Sequence, residues 1–226
     1  MGVTQGIEAP RSARGTRGRA VARAARRRPV ALAVALVVAS LAAFVPLAVE
    51  AWQKDAFAWD RNLSEWIHAY ENEETVLDAY VDPFDLVLDR WLHLLGAVVV
   101  AVVFAALLRR GRRRAGLFLA LGVGGTIVLG AVLKELIARP NIDPPGDGAF
   151  PSGHAIRSMG AACALAVVAW PTRWRWAVSL AGAVVVFLIG IAVVYHEWHW
   201  ATDVLGAWLL AVAWLGSLWL ALRPSA

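Results

Sequence analysis

A single cysteine, Cys163, occurs in the 226 residues, which excludes an intrachain disulfide and says little about compartment. There is no internal repeat, and no low-complexity stretch beyond the N-terminal tail. No Gly-x-Ser-x-Gly turn is present, so a serine nucleophile of the elbow kind has little support. Charge is sparse: 17% of residues are Asp, Glu, Lys or Arg, against 59% hydrophobic residues, 12 of the chain's residues being Trp. With a mean hydropathy of +0.58, this is more apolar surface than a soluble domain of the same length carries. Runs near twenty apolar residues are what a bilayer core of roughly 30 Å requires. The formal charge of +5 and pI near 10.1 raise nucleic acid as a partner. The arginines, however, cluster in short blocks between apolar runs, which is a topology signal, and no nucleic-acid partner is expected.

Read in order, the chain predicts an all-α, polytopic helical bundle with six transmembrane helices. Residues 1–29 are rich in Arg and poor in large apolar side chains, and read as a disordered basic cytoplasmic tail. A six-helix transmembrane unit fills 30–222, its first span at 30–49 being an uncleaved anchor rather than a signal peptide. Residues 50–90 mix acidic residues with Trp52, Trp59, Trp66 and Tyr70 at roughly helical spacing. They read as amphipathic helix lying at the outer interface, or as a soluble extracytoplasmic loop. Further spans are expected at 91–108, 115–137, 152–170, 177–195 and 203–220. Gly122, Gly124, Gly125 and Gly130 in the third point to close helix packing, within the bundle or between protomers. The basic blocks at 109–114, 173–175 and 223 then fall on the cytoplasmic side with the N-terminus, and the loops at 50–90, 138–151 and 196–202 outside. The expected location is the cell membrane, multi-pass. Oligomeric state is not encoded legibly.

Ionisable residues gather at the outer span ends: Lys134, Arg139, His154, Arg157, His196, His199 and Asp203. Each has a dull explanation by itself: a snorkelling lysine, interfacial histidines, an aspartate capping the sixth helix. Together, around the turn Pro151-Ser152-Gly153-His154, they suit attack on a phosphate. Lys134, Arg139 and Arg157 can neutralise a phosphoryl group. Ser152 can hydrogen-bond a phosphate oxygen, and Gly153 lets its N–H approach closely, both near a helix N-terminus that favours an anion. One neutral histidine can act as nucleophile and a second, protonated, as general acid. Asp203, four residues after His199, can hold its imidazole. His196, His199 and Asp203 also have the spacing of metal ligands, but the basic neighbours repel a cation, and no metal is expected.

At these residues the chain resembles the type 2 phosphatidic acid phosphatase family of membrane lipid phosphatases, over about residues 90–215. Pro151 to His154 is similar to the family's second motif, and His199 with Asp203 to the His-x-x-x-Asp of its third. The resemblance implies His199 as the nucleophile that forms a phosphohistidine, Asp203 as its orienting partner, His154 as the acid for the leaving group, and no cofactor. Two positions depart. The first motif's Lys, six residues, then Arg-Pro places Asn141-Ile142 after Lys134, with Arg139-Pro140 two residues earlier. The arginine six positions before the third motif's histidine is Val193 here. Arg139 and Arg157 are expected to complete the phosphate cradle in their place. The implied function is metal-independent hydrolysis of a lipid phosphate or polyprenyl diphosphate at the extracytoplasmic face. The alternatives are a phosphotransferase of the same fold and a non-catalytic lipid-headgroup-binding membrane protein.

Overall fold

The structure, a computed structural model, describes residues 12–71, 91, 93–142 and 148–222. Among these, seven α-helices supply the architecture: α1 Ser12–Trp52, α2 Ala58–Glu71, α3 His93–Arg109, α4 Arg113–Ile137, α5 Gly153–Ala169, α6 Arg175–Tyr195 and α7 Ala201–Leu222. Expectations about residues 1–11, 72–90, 143–147 and Arg223 lie outside the described residues.

Each expected span coincides with a helix, but the helices differ in length. Four are long and apolar enough to cross a membrane: Arg28–Trp52 within α1, then α4, α6 and α7. α3 and α5 are apolar and shorter, at 17 residues each. The basic segment read as disordered is helical from Ser12 onward, continuous with the first span. Ala and Arg are good helix formers, and a segment that extends an existing helix escapes the nucleation penalty.

Apolar side chains point outward all round. Val102 is 62% exposed and Leu180 67%, and even in α7 only 39% of the apolar window is buried. Such a surface is solvated by lipid, not water. The helices must therefore hold together by close backbone approach. A Cβ at Gly122 would lie 2.7 Å from a Leu215 methyl, and one at Gly125 would lie 2.4 Å from the Trp214 indole. Gly130 faces Ile156 on α5, whereas Gly124 faces open space. Three of these four glycines thus pack inside the bundle.

α7 is the central helix, lying along α1, α4 and α5. One core cluster joins Ile156 of α5, Ile189 and Val193 of α6, and Val204 and Ala207 of α7. A second joins Leu107, Phe118, Val168 and Leu218, at the end of the bundle that carries the 109–114 and 173–175 basic blocks. The opposite end collects the C-termini of α1, α4 and α6 with the N-termini of α5 and α7. α2 caps this end. Trp59 and Trp66, seven residues apart, face out at 45% and 60% exposure, while Asp60 and Ile67 are buried. That is the amphipathic stripe expected of the segment.

Candidate active site

The turn into α5 is clamped from both sides. The Phe150 ring is fully buried, 5.7 Å from that of Phe44 on α1. It also presses on Gly206 of α7, where a Cβ would come within 2.5 Å of the ring. The Phe150–Pro151 peptide is cis. Ser152 caps α5, its hydroxyl accepting from the Ala155 N–H at 3.4 Å. The cap leaves the hydroxyl proton for another acceptor. The Ser152 N–H donates to the Asp203 carbonyl at 3.1 Å. The two motif-bearing turns are therefore joined directly.

Two cations flank Gly153. Lys134, on the last turn of α4, donates its Nζ to the Gly148 carbonyl at 2.5 Å. A Cβ at Gly153 would meet Lys134 Cε at 3.5 Å, Lys134 Nζ at 3.8 Å and Arg157 Nη2 at 3.5 Å. Arg157 holds its Nε on the Gly153 carbonyl at 2.8 Å, one helical turn back. An ammonium, a guanidinium and a helix N-terminus thus converge on one small volume beside Ser152.

His199 follows α6 in a tight turn, its N–H donating to the Val193 carbonyl at 3.1 Å. Val193 itself is fully buried in the core, so position 193 contributes packing here and no charge. The His199 ring is 7% exposed, with Nδ1 3.6 Å from Asp203 Oδ2. That separation is longer than a hydrogen bond, and such contacts tighten when substrate is bound. A carboxylate on the Nδ1 side leaves Nε2 as the nitrogen turned away from Asp203. His154 reaches the same turn from α5, with its ring 5.7 Å from that of Trp198, which stacks at 5.5 Å on His196.

Asp203 is fully buried, and each of its carboxylate oxygens accepts from a donor. Oδ2 accepts from the Trp200 N–H at 2.9 Å, and Oδ1 from Arg139 Nη1 at 2.5 Å. Asp203 is the third residue of α7 and reaches back to the residue before the helix, as in the carboxylate half of a capping box. The capping reading and the orienting reading of Asp203 are compatible, because the cap pins the carboxylate beside His199.

Arg139 departs from its expected place. It is 1% exposed and lies behind Asp203, not with Lys134 and Arg157 around Gly153. Besides Asp203, it donates to Thr202 Oγ1 at 2.9 Å and to the Asp55 carbonyl at 2.6 Å, with its guanidinium 5.5 Å over the Trp200 ring. The cause is local. Ala138 ends α4 in the left-handed region at φ 45°, which turns the next residue back over the start of α7. Lys54 Nζ secures that turn by donating to the carbonyls of Ile137 and Ala138.

Asp60 and Thr202 escaped the sequence reading. The Thr202 N–H donates to Asp60 Oδ1 at 3.2 Å, its hydroxyl bonds Oδ2, and Arg139 Nη2 lies 3.8 Å from Oδ2. Burial pushes the Asp60 carboxyl above the ordinary aspartate range, against the opposing pull of Thr202 and Arg139. Asp55 goes the other way: the Ala56 N–H and Arg61 hold its carboxyl below that range. Among the described residues, no three histidine, cysteine or acidic side chains converge as a metal-ligand set.

The model of the PAP2 superfamily matches residues 130–225, a segment that contains Lys134, the Ser152 turn, His199 and Asp203. Residues 130–225 are thus similar to the PAP2 superfamily. Over 110 residues, 43% of this chain, the sequence is 36% identical to phosphatidylglycerophosphatase B of Bacillus subtilis (strain 168), covering 53% of that protein. The match thus spans about half the length of that relative. A solved structure of a transmembrane PAP2 type phosphatidylglycerolphosphate phosphatase from Bacillus subtilis superposes with a TM-score of 0.62. It is 24% identical and covers 80% of this chain and 93% of its own, so it supports the PAP2 fold of the bundle. α2 lies outside the matched segment but packs on the start of α7 through Asp60 and Thr202.

Proposed function

We propose that the chain is a membrane lipid phosphatase working through a phosphohistidine on His199. The observation that carries this reading is the 3.1 Å bond from the Ser152 N–H to the Asp203 carbonyl. It sets the cation-flanked turn at Gly153 against the turn that bears His199. A phosphoryl group held by Lys134, Arg157 and the first turn of α5 then sits in front of Nε2. The Nε2 lone pair attacks phosphorus, and the bond to the leaving oxygen breaks. His154, protonated, gives that oxygen its proton. Asp203 steadies the cationic phosphoimidazole. Water, deprotonated by the now neutral His154, releases inorganic phosphate and restores His199. Charge neutralisation comes from side chains, so no step calls for a metal or organic cofactor.

The name of the Bacillus relative points to phosphatidylglycerol phosphate as the first substrate to try. A lipid substrate fits a site at the ends of outward-apolar helices. A six-span bundle is supported by α3 and α5, each about 26 Å long at 1.5 Å per residue, near the hydrocarbon thickness, and a cytoplasmic N-terminus by the arginines that precede the first span. The basic blocks at 109–114 and 173–175 lie at the end away from His199, which supports an extracytoplasmic site.

The test is phosphate release by the purified chain from a panel of phosphatidylglycerol phosphate, phosphatidic acid and a polyprenyl diphosphate, with EDTA present. Release that survives EDTA and vanishes in His199→Ala supports the proposal. Release that persists undiminished in His199→Ala overturns it.

A further inference from the structure

The charges behind His199 do not balance without α2. Arg139 is buried with Asp203 on one side and Asp60 on the other, 2.5 Å and 3.8 Å away. When the His199 ring turns positive, as an imidazolium or beneath a phosphoryl group whose own charge Lys134 and Arg157 answer, this buried group holds two cations. Asp203 alone answers one of them. Asp60 answers the second, and the four side chains close at zero net charge. A buried charge left over is expensive, so the pairing matters at this depth. The geometry fits, because Asp60 is held by both the N–H and the hydroxyl of Thr202, the residue preceding Asp203.

We propose that Asp60, on α2, is a positioning residue of this site: through Arg139 it frees the negative charge of Asp203 to act on His199. The inference rests on the lipid-phosphatase reading for its catalytic consequence. Without Asp60, Arg139 draws on Asp203 alone, and the field that Asp203 exerts at His199 weakens. Around His199, α4 and the loop after it bring Lys134 and Arg139, α5 brings His154 and Arg157, and α7 brings Asp203. His196 and Glu197 share its turn. All of these remain in place when Asp60 is neutralised. Asn at 60 keeps an oxygen for Thr202, so the variant separates charge from hydrogen bonding.

The experiment uses the full chain in detergent micelles with 13C-labelled histidine. The His199 resonance is assigned by its loss in His199→Gln, and its titration midpoint is followed by NMR. In Asp60→Asn the midpoint is lower by about one pH unit, the size of one unit charge acting over a few side chains at moderate dielectric. In Asp60→Glu it returns towards the wild-type value. In phosphate release from phosphatidylglycerol phosphate, the acid limb of kcat/KM moves down with it, and kcat falls about tenfold at unchanged KM. Asp60→Ser, where water replaces the carboxylate, is the second charge-removing variant and shows the same displacement. A folded Asp60→Asn or Asp60→Ser with an unmoved His199 midpoint overturns the inference. Wild-type protein that releases no phosphate overturns the functional reading instead, and the midpoint still decides the role of Asp60.

Discussion

The Ser152 N–H and the Asp203 carbonyl meet at 3.1 Å, tying the start of α5 to the start of α7. A backbone bond of this kind depends on neither side chain, so short of proline at 152 the joint is broken only by moving the elements it connects. Phe150 is what keeps them in place. Its ring fills the gap between Phe44 and Gly206 with no exposure. Phe150→Ala is expected to lower stability by about 3–5 kcal/mol, the usual range for a buried phenylalanine. It also lowers kcat more than it raises KM, since the histidines shift relative to the phosphate rather than losing a contact to it. Thermal melting and steady-state phosphate release in one detergent check both parts.

Arg139 and Arg157 are predicted to fail in different ways. Arg139 is buried between two carboxylates, so Arg139→Ala leaves Asp60 and Asp203 without a counter-charge. That destabilises by about 3–5 kcal/mol, the range for breaking one side of a buried pair. Arg157 is exposed beside Gly153, so Arg157→Ala leaves the melting temperature within a degree or two. Its loss shows instead as a rise in KM of roughly tenfold, in line with one charge-assisted contact to phosphate. An Arg157→Ala protein with unchanged KM and kcat removes Arg157 from the cradle.

The contrast shows how far residue patterns reach. Helix positions were legible because apolar runs and basic blocks alternate, and that signal needs no tertiary information. Lys134, His199 and Asp203 drew attention because ionisable side chains are rare in apolar helices, and Ser152 because it sits in a Gly-containing turn among them. The division between Arg139 and Arg157 was not legible, because it depends on the left-handed turn at Ala138, which a string of residues does not announce. Asp60 was hidden for another reason. It sits in an acidic segment where one more aspartate carries no signal, and only its burial against Thr202 sets it apart.

Gly153 offers a test of the space between the two cations. A methyl there would sit at ordinary contact distances of 3.5–3.8 Å from Lys134 and Arg157, so Gly153→Ala folds normally. The methyl occupies the volume where phosphate oxygens are expected to approach the first turn of α5. KM is therefore predicted to rise about tenfold or more, at a cost of about 1.4 kcal/mol in binding. Competitive inhibition by inorganic phosphate should weaken by a similar factor. If phosphate inhibits both proteins equally, the anion sits elsewhere.

The acid end of the stability profile gives a prediction with a definite sign. Burial raises the folded-state pKa of Asp60 above its unfolded value of about 3.8. The folded chain then binds more protons than the unfolded chain between those two values, so this group lowers stability as pH rises through the window. Asp55 acts oppositely. Its folded value is depressed, so its contribution is present above about 3.8 and is lost as pH falls through the lower folded value. Asp60→Asn removes the first effect and leaves the second. The melting temperature of the variant relative to wild type is therefore expected to climb with pH from just below 4 up to the raised Asp60 value and to level off beyond it. Melts of both proteins across this range in one detergent supply the comparison. A difference that stays flat with pH would mean that Asp60 titrates alike in the folded and unfolded chains, and that burial against Thr202 does not act on its carboxyl.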